Sequence, residues 1–207
     1  IGMIGATPNT LVINSDLPIN NLKEFVDYAK KNPAKLSYGS AGPGTLTHLG
    51  MEQFKLAANI FMVHVPYRGV GPAYTDLLAG QTQAMFPTLF AAMPYLKSNR
   101  VKALAVTGPK RNPAAPNIPT FKELGFHSFD PYGWFGLMLP AATPAHIVQK
   151  FSDESMRILR LPEVVAKVEG LGLWVGGGKP EEFAQILRND AAIYAKIIKD
   201  ANIKLNP

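Results

Sequence analysis

An α/β fold is what the sequence predicts, and three observations lead to it. Short apolar runs alternate along most of the chain with longer stretches whose apolar residues recur every three or four positions, as strands interleaved with amphipathic helices do. The 207 residues include 18 Gly and 18 Pro, a supply of turns that suits many short elements better than a few long helices. Hydrophobic residues make up 47% of the chain, enough to fill a sizeable core. Strands and helices alternating in this way imply a largely parallel sheet.

After a short apolar opening, LVIN (Leu11 to Asn14) predicts a strand. Leu22, Phe25, Val26 and Ala29 recur at helical spacing behind the cap candidates Asn20 and Asn21, and Pro33 stops the helix. LSYG (Leu36 to Gly39) is the next strand, a glycine-rich turn follows it directly, and Leu46, Leu49, Phe54 and Ala57 line one face of the helix beyond. MVHVPY (Met62 to Tyr67) predicts a strand, RGVGP a turn, and Ala73 to Ala79 a helix. AMF (Ala84 to Phe86), a helix over Leu89 to Leu96 and the strand VKALAVTG (Val101 to Gly108) continue the pattern. The proline-rich KRNPAAPNIPTF (Lys110 to Phe121) predicts a surface loop leading to a short helix that ends near Gly125.

From GWFGLMLP (Gly133 to Pro140) the character changes. One apolar strand is followed by amphipathic helices at Ala145 to Leu159, Pro162 to Leu171 and Pro180 to Ala201, broken only by the strand LWVG (Leu173 to Gly176). Helices of this length need a sheet to pack on, and the tail by itself supplies too few strands. A crossing to a second lobe near Phe129 to Trp134 is therefore expected, with that lobe incomplete.

Composition narrows the function. Without cysteine there is no disulfide, thiolate metal site or cysteine nucleophile. The formal charge is +6, but Lys and Arg are spread along the chain, which suits small anions and gives no nucleic-acid footprint. The four histidines form no H-x-x-x-H or related pair, so no metal site is expected, and no cofactor motif is present. No signal-peptide pattern and no long apolar run occurs, and the chain opens on Ile1; a soluble, mature or truncated piece without direct membrane insertion is expected.

The motif that carries chemistry is YGSAGPGTLTH (Tyr38 to His48). A strand, a glycine turn and a helix start make a sensible anion cradle: Gly42 and Gly44 let amides around Ala41 converge, the helix terminus adds partial positive charge, and Ser40 and Thr45 add hydroxyls. The same residues are also compatible with a tight turn and an ordinary N-cap. A nucleotide P-loop fails because no GK[ST] follows, and the glycine spacing is not G-x-G-x-x-G. Ser40 with His48 would make a nucleophile and base, but no G-x-S-x-G elbow surrounds Ser40 and no acidic partner for His48 is evident. VPYRGVGP places Tyr67, Arg68 and Gly69 at the next strand end, beside Ser40 in a parallel sheet, where the arginine is either a carboxylate clamp or a solvent-facing turn residue. Thr88 is a further donor at a third strand end. His64, inside a strand, reads as packing, and Trp134 and Phe135, at the crossover, read as core, with lining the cleft as the alternative.

In order along nearly the whole chain, LSYGSAGPGTLTHLGMEQFK, VPYRGVGPAYTDLLAGQTQAMF, VKALAVTG, IPTFKELGF and WFGLMLPAATPAHIVQK resemble the tripartite tricarboxylate transporter substrate-binding proteins of the TctC or Bug type. The resemblance implies a periplasmic-binding-protein-like fold of two lobes that closes on a small carboxylate in the periplasm and delivers it to membrane permease subunits. It implies no enzymatic role and no cofactor. It implies that residues 1–7 end a first-lobe segment, 8–129 form the second lobe and 130–207 return to the first, whose N-terminal part is absent. It implies a ligand site built from Ser40, Ala41, Gly42, Gly44, Thr45, His48, Tyr67, Arg68, Gly69 and Thr88. Many relatives carry Asp-Asn where this chain has Pro87 and Thr88, so a dicarboxylate or aromatic carboxylate is expected over an amino acid. The effector lobes of a transcription regulator share this architecture and remain the alternative, with a Ser/His hydrolase behind them.

Overall fold

The computed structural model describes residues 1–204 and is α/β, with two sheets. The apolar opening, not assigned to an element from sequence, is a strand: β1 (Gly2–Pro8) runs through Asn9 almost directly into β2 (Thr10–Asn14). The chain then continues as α1 (Leu22–Lys31), β3 (Ser37–Ser40), α2 (Leu46–Ala58), β4 (Val63–Pro66), α3 (Val70–Leu78), β5 (Ala84–Met85), α4 (Leu89–Lys97) and β6 (Val101–Val106). After an irregular stretch come β7 (Tyr132–Leu137), α5 (Ala145–Leu159), α6 (Pro162–Gly170), β8 (Trp174–Gly177) and α7 (Pro180–Asp200).

Five strands form one sheet in the order β4-β3-β5-β2-β6. The expectation of a largely parallel sheet needs correction: β3 is parallel to β4 and β5, but β2 is antiparallel to both of its neighbours. No helix separates β2 from β1, so the chain enters this sheet directly from the other one, against the direction of the strands that arrive through helical crossovers. Period 2 then sorts side chains to two faces. Leu11 and Ile13 of β2 join Leu22, Phe25, Phe54 and Phe86 on one, while Val12 joins Ala73, Tyr74, Leu77 and Ala92 on the other.

The second sheet explains how the tail helices find a surface. Its order is β7-β1-β8, both pairs antiparallel, so the opening residues supply its central strand. Trp134 of β7 packs edge-on against Phe183 of α7 at 5.1 Å, and its indole N–H donates to Asp190 at 2.7 Å.

Most predicted boundaries hold within a residue or two. Asn21 caps α1, accepting from the Glu24 amide at 2.9 Å, while the Glu24 side chain accepts from the amide of Asn20, one residue before the cap, at 2.8 Å. Three details differ. The third helix starts at Val70 with Gly69 as its cap, so Gly71 and Pro72 lie in its first turn, where the missing proline N–H costs nothing. Ala57 is exposed and Ala58 is the buried residue of α2. The short helix before Gly125 is a series of turns, held instead by the Phe121 ring, which packs against Phe129 at 4.7 Å and Phe54 at 5.5 Å.

Three strands of chain pass side by side between the sheets. The Asn9 amide donates to Thr107 Oγ1 and the Thr107 amide to the Asn9 carbonyl, each at 2.8 Å. The Gly108 amide donates to Asp130 at 2.6 Å.

Candidate functional site

The C-terminal ends of β3 and β4 lie together, and the two loops beyond them are tied by backbone bonds from the Tyr67 amide to the Ser40 carbonyl at 3.0 Å and from the Gly69 amide to the Ala41 carbonyl at 3.2 Å. The turn after β3 needs left-handed backbone at Gly42 (φ 128) and Gly44 (φ 75), which glycine adopts without a Cβ penalty. Its amides do not simply face outward. Ala41 donates to Thr47 Oγ1 at 2.8 Å, Gly42 to Ser40 Oγ at 3.2 Å, and Gly44 to His48 Nδ1 at 3.0 Å. Thr45 is the N-cap of α2 by its backbone, while its hydroxyl donates to the Gly42 carbonyl at 2.7 Å. Among the described residues, the amides of Leu46 and Thr47 in the first turn of α2 have no acceptor. The donors left open for an anion are therefore those of the helix terminus, with its partial positive charge behind them.

Beneath the turn lies a polar cluster that sequence reasoning read only in part. Register sets Tyr38 of β3 beside His64 of β4, and helical spacing puts His48, Glu52 and Lys55 on the face of α2 above them. The imidazoles of His48 and His64 stack at 3.9 Å with 8° between their planes, and Tyr38 stacks on His64 at 4.9 Å. The Tyr38 hydroxyl donates to Glu52, which also holds Lys55 at 2.6 Å. Ser40 Oγ lies 2.6 Å from His64 Nε2, so the serine pairs with His64 and not, as sequence suggested, with His48. His64 is thus more than packing; the sign of this was the polar stripe His48, Glu52, Lys55 on a helix face otherwise turned to the core. Burial lowers the pKa of both histidines, and with the neighbouring His48 it brings His64 down to about 4. Ser40 is 0% exposed, so its hydroxyl cannot reach a substrate carbonyl despite the imidazole beside it.

A cavity of about 300 Å³ opens next to the turn. Gly44, Leu46, Leu49 and Thr88 form one wall; Tyr132, Gly133, Trp134 and Phe135 of β7 and Tyr194 of α7 form the other. Gly133 is where the walls meet, because a Cβ there would sit 3.1 Å from both Leu46 and Thr88 side chains. Thr88 caps α4, its Oγ1 accepting from the Ala91 amide at 3.3 Å. Of the expected site residues, Gly44 and Thr88 thus meet at this cavity, with Ala41, Gly42, Thr45 and His48 in the turn behind. Tyr67, Arg68 and Gly69 lie on the adjoining loop and do not line it. Tyr67 donates to Asp76 at 2.6 Å, and burial with that bond pushes its hydroxyl up to about 12. Arg68 is exposed at the rim. Trp134 and Phe135 are only partly core: Phe135 is 45% exposed. Tyr194, raised to about 12 by burial and by Asp190, stays protonated at neutral pH and went unnoticed because nothing local marks one tyrosine on a long helix. Among the described residues no three His, Asp or Glu side chains converge as a metal site would need, and no helix is long and apolar enough to cross a membrane.

Comparison with known proteins places these features in a family. The model described as "Tripartite tricarboxylate transporter family receptor" matches residues 1–203. A UPF0065 protein from the tcbD-tcbE intergenic region of Pseudomonas sp. (strain P51) is 33% identical over 200 residues, covering 96% of this chain and 60% of that protein. Protein BugT of Bordetella pertussis is 26% identical over 205 residues, covering 99% of this chain and 63% of BugT. The chain thus spans about 60% of the length of the curated relatives it matches. Among solved structures, R. palustris Rpa4515 with adipate superposes with a TM-score of 0.92 at 30% identity, over 98% of this chain and 68% of that one. The periplasmic binding protein BugD gives 0.89 at 32% over 99% and 69%. MatC from Rhodopseudomonas palustris, with bound malate, gives 0.85 at 27% over 96% and 68%. These neighbours are solute-binding proteins and not enzymes, which sets aside the hydrolase that Ser40 and a histidine suggested.

Proposed function

Since the chain belongs to the tripartite tricarboxylate transporter receptor family, we propose that it is the carboxylate-holding portion of a periplasmic solute-binding protein that serves membrane permease subunits. The observation that carries this reading is the cavity between the α2 terminus and β7. Leu46 with its unpaired amide, the Thr88 hydroxyl and the positive end of a helix stand on one side, and aromatic rings stand on the other. A carboxylate at the α2 terminus would direct its remaining carbons toward Trp134, Phe135 and Tyr194. Adipate and malate in the structural neighbours are ligands of the same class.

The finer choice is a dicarboxylate or aromatic carboxylate over an amino acid. None of the nine residues lining the cavity is acidic, so no carboxylate there would pair with an ammonium group. Residues 8–129 act as one lobe and residues 1–7 with 130–207 as part of the other, and closure turns on the three side-by-side passages at Asn9, Thr107 and Asp130. The site residues Ser40, Ala41, Gly42, Gly44, Thr45, His48, Tyr67, Arg68, Gly69 and Thr88 hold or shape the carboxylate end.

Calorimetric titration of the chain with adipate, malate, benzoate and glutamate tests this. A saturable response to one of the first three, with glutamate weaker, is expected. Glutamate binding more tightly than all three would remove the class assignment, and no response to any acid would remove the reading that this portion binds by itself.

A further inference from the structure

The two stacked histidines lie under the turn and touch it at separate points, and neither takes part in the site's contact surface. His48 Nδ1 accepts the Gly44 amide at 3.0 Å, so that nitrogen carries a lone pair and the proton of the neutral ring sits on Nε2. His64 Nε2 meets Ser40 Oγ at 2.6 Å, and Ser40 Oγ in turn accepts the Gly42 amide at 3.2 Å. Each glycine of the turn that adopts a positive φ is thereby fixed by one imidazole, directly or through one hydroxyl. We propose that His48 and His64 are positioning residues that hold the shape of the anion cradle, and that the cradle keeps this shape only while both rings are neutral. The proposal rests on the carboxylate-binding reading above for its functional consequence, though its structural part does not.

The chemistry follows from what protonation does at each nitrogen. A proton on His48 Nδ1 would set a donor against the Gly44 donor and expel that amide from its place. Where the neutral His64 ring accepts from Ser40, a proton on Nε2 reverses that bond, and the hydroxyl hydrogen then turns to the Gly42 carbonyl at 3.3 Å, a longer contact. Two charged rings 3.9 Å apart would also repel. The groups that face the pair are Tyr38 from β3 and Glu52 and Lys55 from α2. Glu52 favours a proton on the rings, but its carboxylate is shared between Lys55 and the Tyr38 hydroxyl, and Lys55 opposes that proton. Burial acts in the same direction as Lys55, lowering both histidines.

Nitrogen-detected NMR of the imidazoles, read together with the Gly44 amide, tests the device without any ligand. The expected result is an unprotonated Nδ1 on His48 at pH 7 and a Gly44 amide resonance that moves only as the His48 ring titrates, which burial places below the ordinary histidine range. In His48→Asn, whose Oδ1 occupies the place of Nδ1 and accepts without titrating, the Gly44 amide should stay protected from exchange and lose its pH response. His48→Leu should leave it unprotected, and malate affinity at pH 7 should fall about tenfold, the cost of losing one or two anchoring hydrogen bonds. Most of that loss should return in His48→Asn. A Gly44 amide indifferent to His48 protonation, or equal malate binding by the leucine variant and the parent, overturns the proposal. If the parent does not bind malate, the carboxylate reading fails for this ligand, and the amide measurements still decide whether the histidines hold the turn.

Discussion

His64 shows how one side chain links local geometry to a solution property. It stands at register position with Tyr38, its half-buried ring stacks on both Tyr38 and His48, and its pKa is lowered to about 4 from an ordinary value of 6.5, chiefly by burial. A base whose folded pKa is depressed stabilises the fold fully above its unfolded pKa, because there neither state takes up the proton. As pH falls below about 6.5 the unfolded chain begins to bind a proton that the folded chain refuses, and stability is lost until the folded ring also protonates near 4. Between pH 6.5 and 5 most carboxylates remain ionised, so this window isolates the histidines. The melting temperature should fall by a few degrees across it, and His64→Gln should flatten the slope. An unchanged parent melting temperature over that window would show that neither histidine is buried as described.

At the scale of elements, the irregular stretch between β6 and β7 depends on rings more than on backbone ladders. Phe121 is fully buried and packs against Phe54, Phe86, Phe126 and Phe129, while its amide donates to the Val106 carbonyl at 2.9 Å. Phe121→Ala should cost about 3–5 kcal/mol, as large aromatic truncations in cores do, and lower the midpoint of urea unfolding with little change in its slope. A loss below 1 kcal/mol would mean that the segment is held by something other than this cluster. Sequence reading could not find this anchor, because it predicted a helix where the TFKELG pattern only makes turns. It did find the seven helices of the described residues and β2 to β8, since their apolar spacing and their Gly, Pro and Asn punctuation are local signals. It left β1 unassigned because Ile1, Met3 and Ile4, interrupted by Gly2 and Gly5, make no period-2 alternation, and their partners lie far along the chain. The candidate turn was legible for the same local reason, whereas the Ser40 to His64 contact depended on strand register, and Tyr194 on the placing of a distant helix.

For the molecule as a whole, the strand that no local pattern announces is the one with the most distant partners. Gly2 pairs with Leu137 and Met3 with Gly177, so the central strand of the smaller sheet is completed by residues more than a hundred positions away. The larger sheet draws its strands from residues 10 to 106 and closes on itself much sooner. High contact order at the first strand means that loop-closure entropy must be met before any of its hydrogen bonds form. Of the described strands, β1 is made first and yet is among the last to be ordered: it stays unpaired until the segment around Leu137 has been added, and gains its second neighbour only with that around Gly177. In pulse-labelled refolding, amides of Val12 and Tyr38 should gain protection before those of Gly5 and Ala6; simultaneous protection would mean that both sheets fold as one cooperative unit. Such a late-closing strand leaves β7 and β8 without their shared neighbour after the larger sheet has formed, an interval in which two open strand edges are exposed to any other chain nearby.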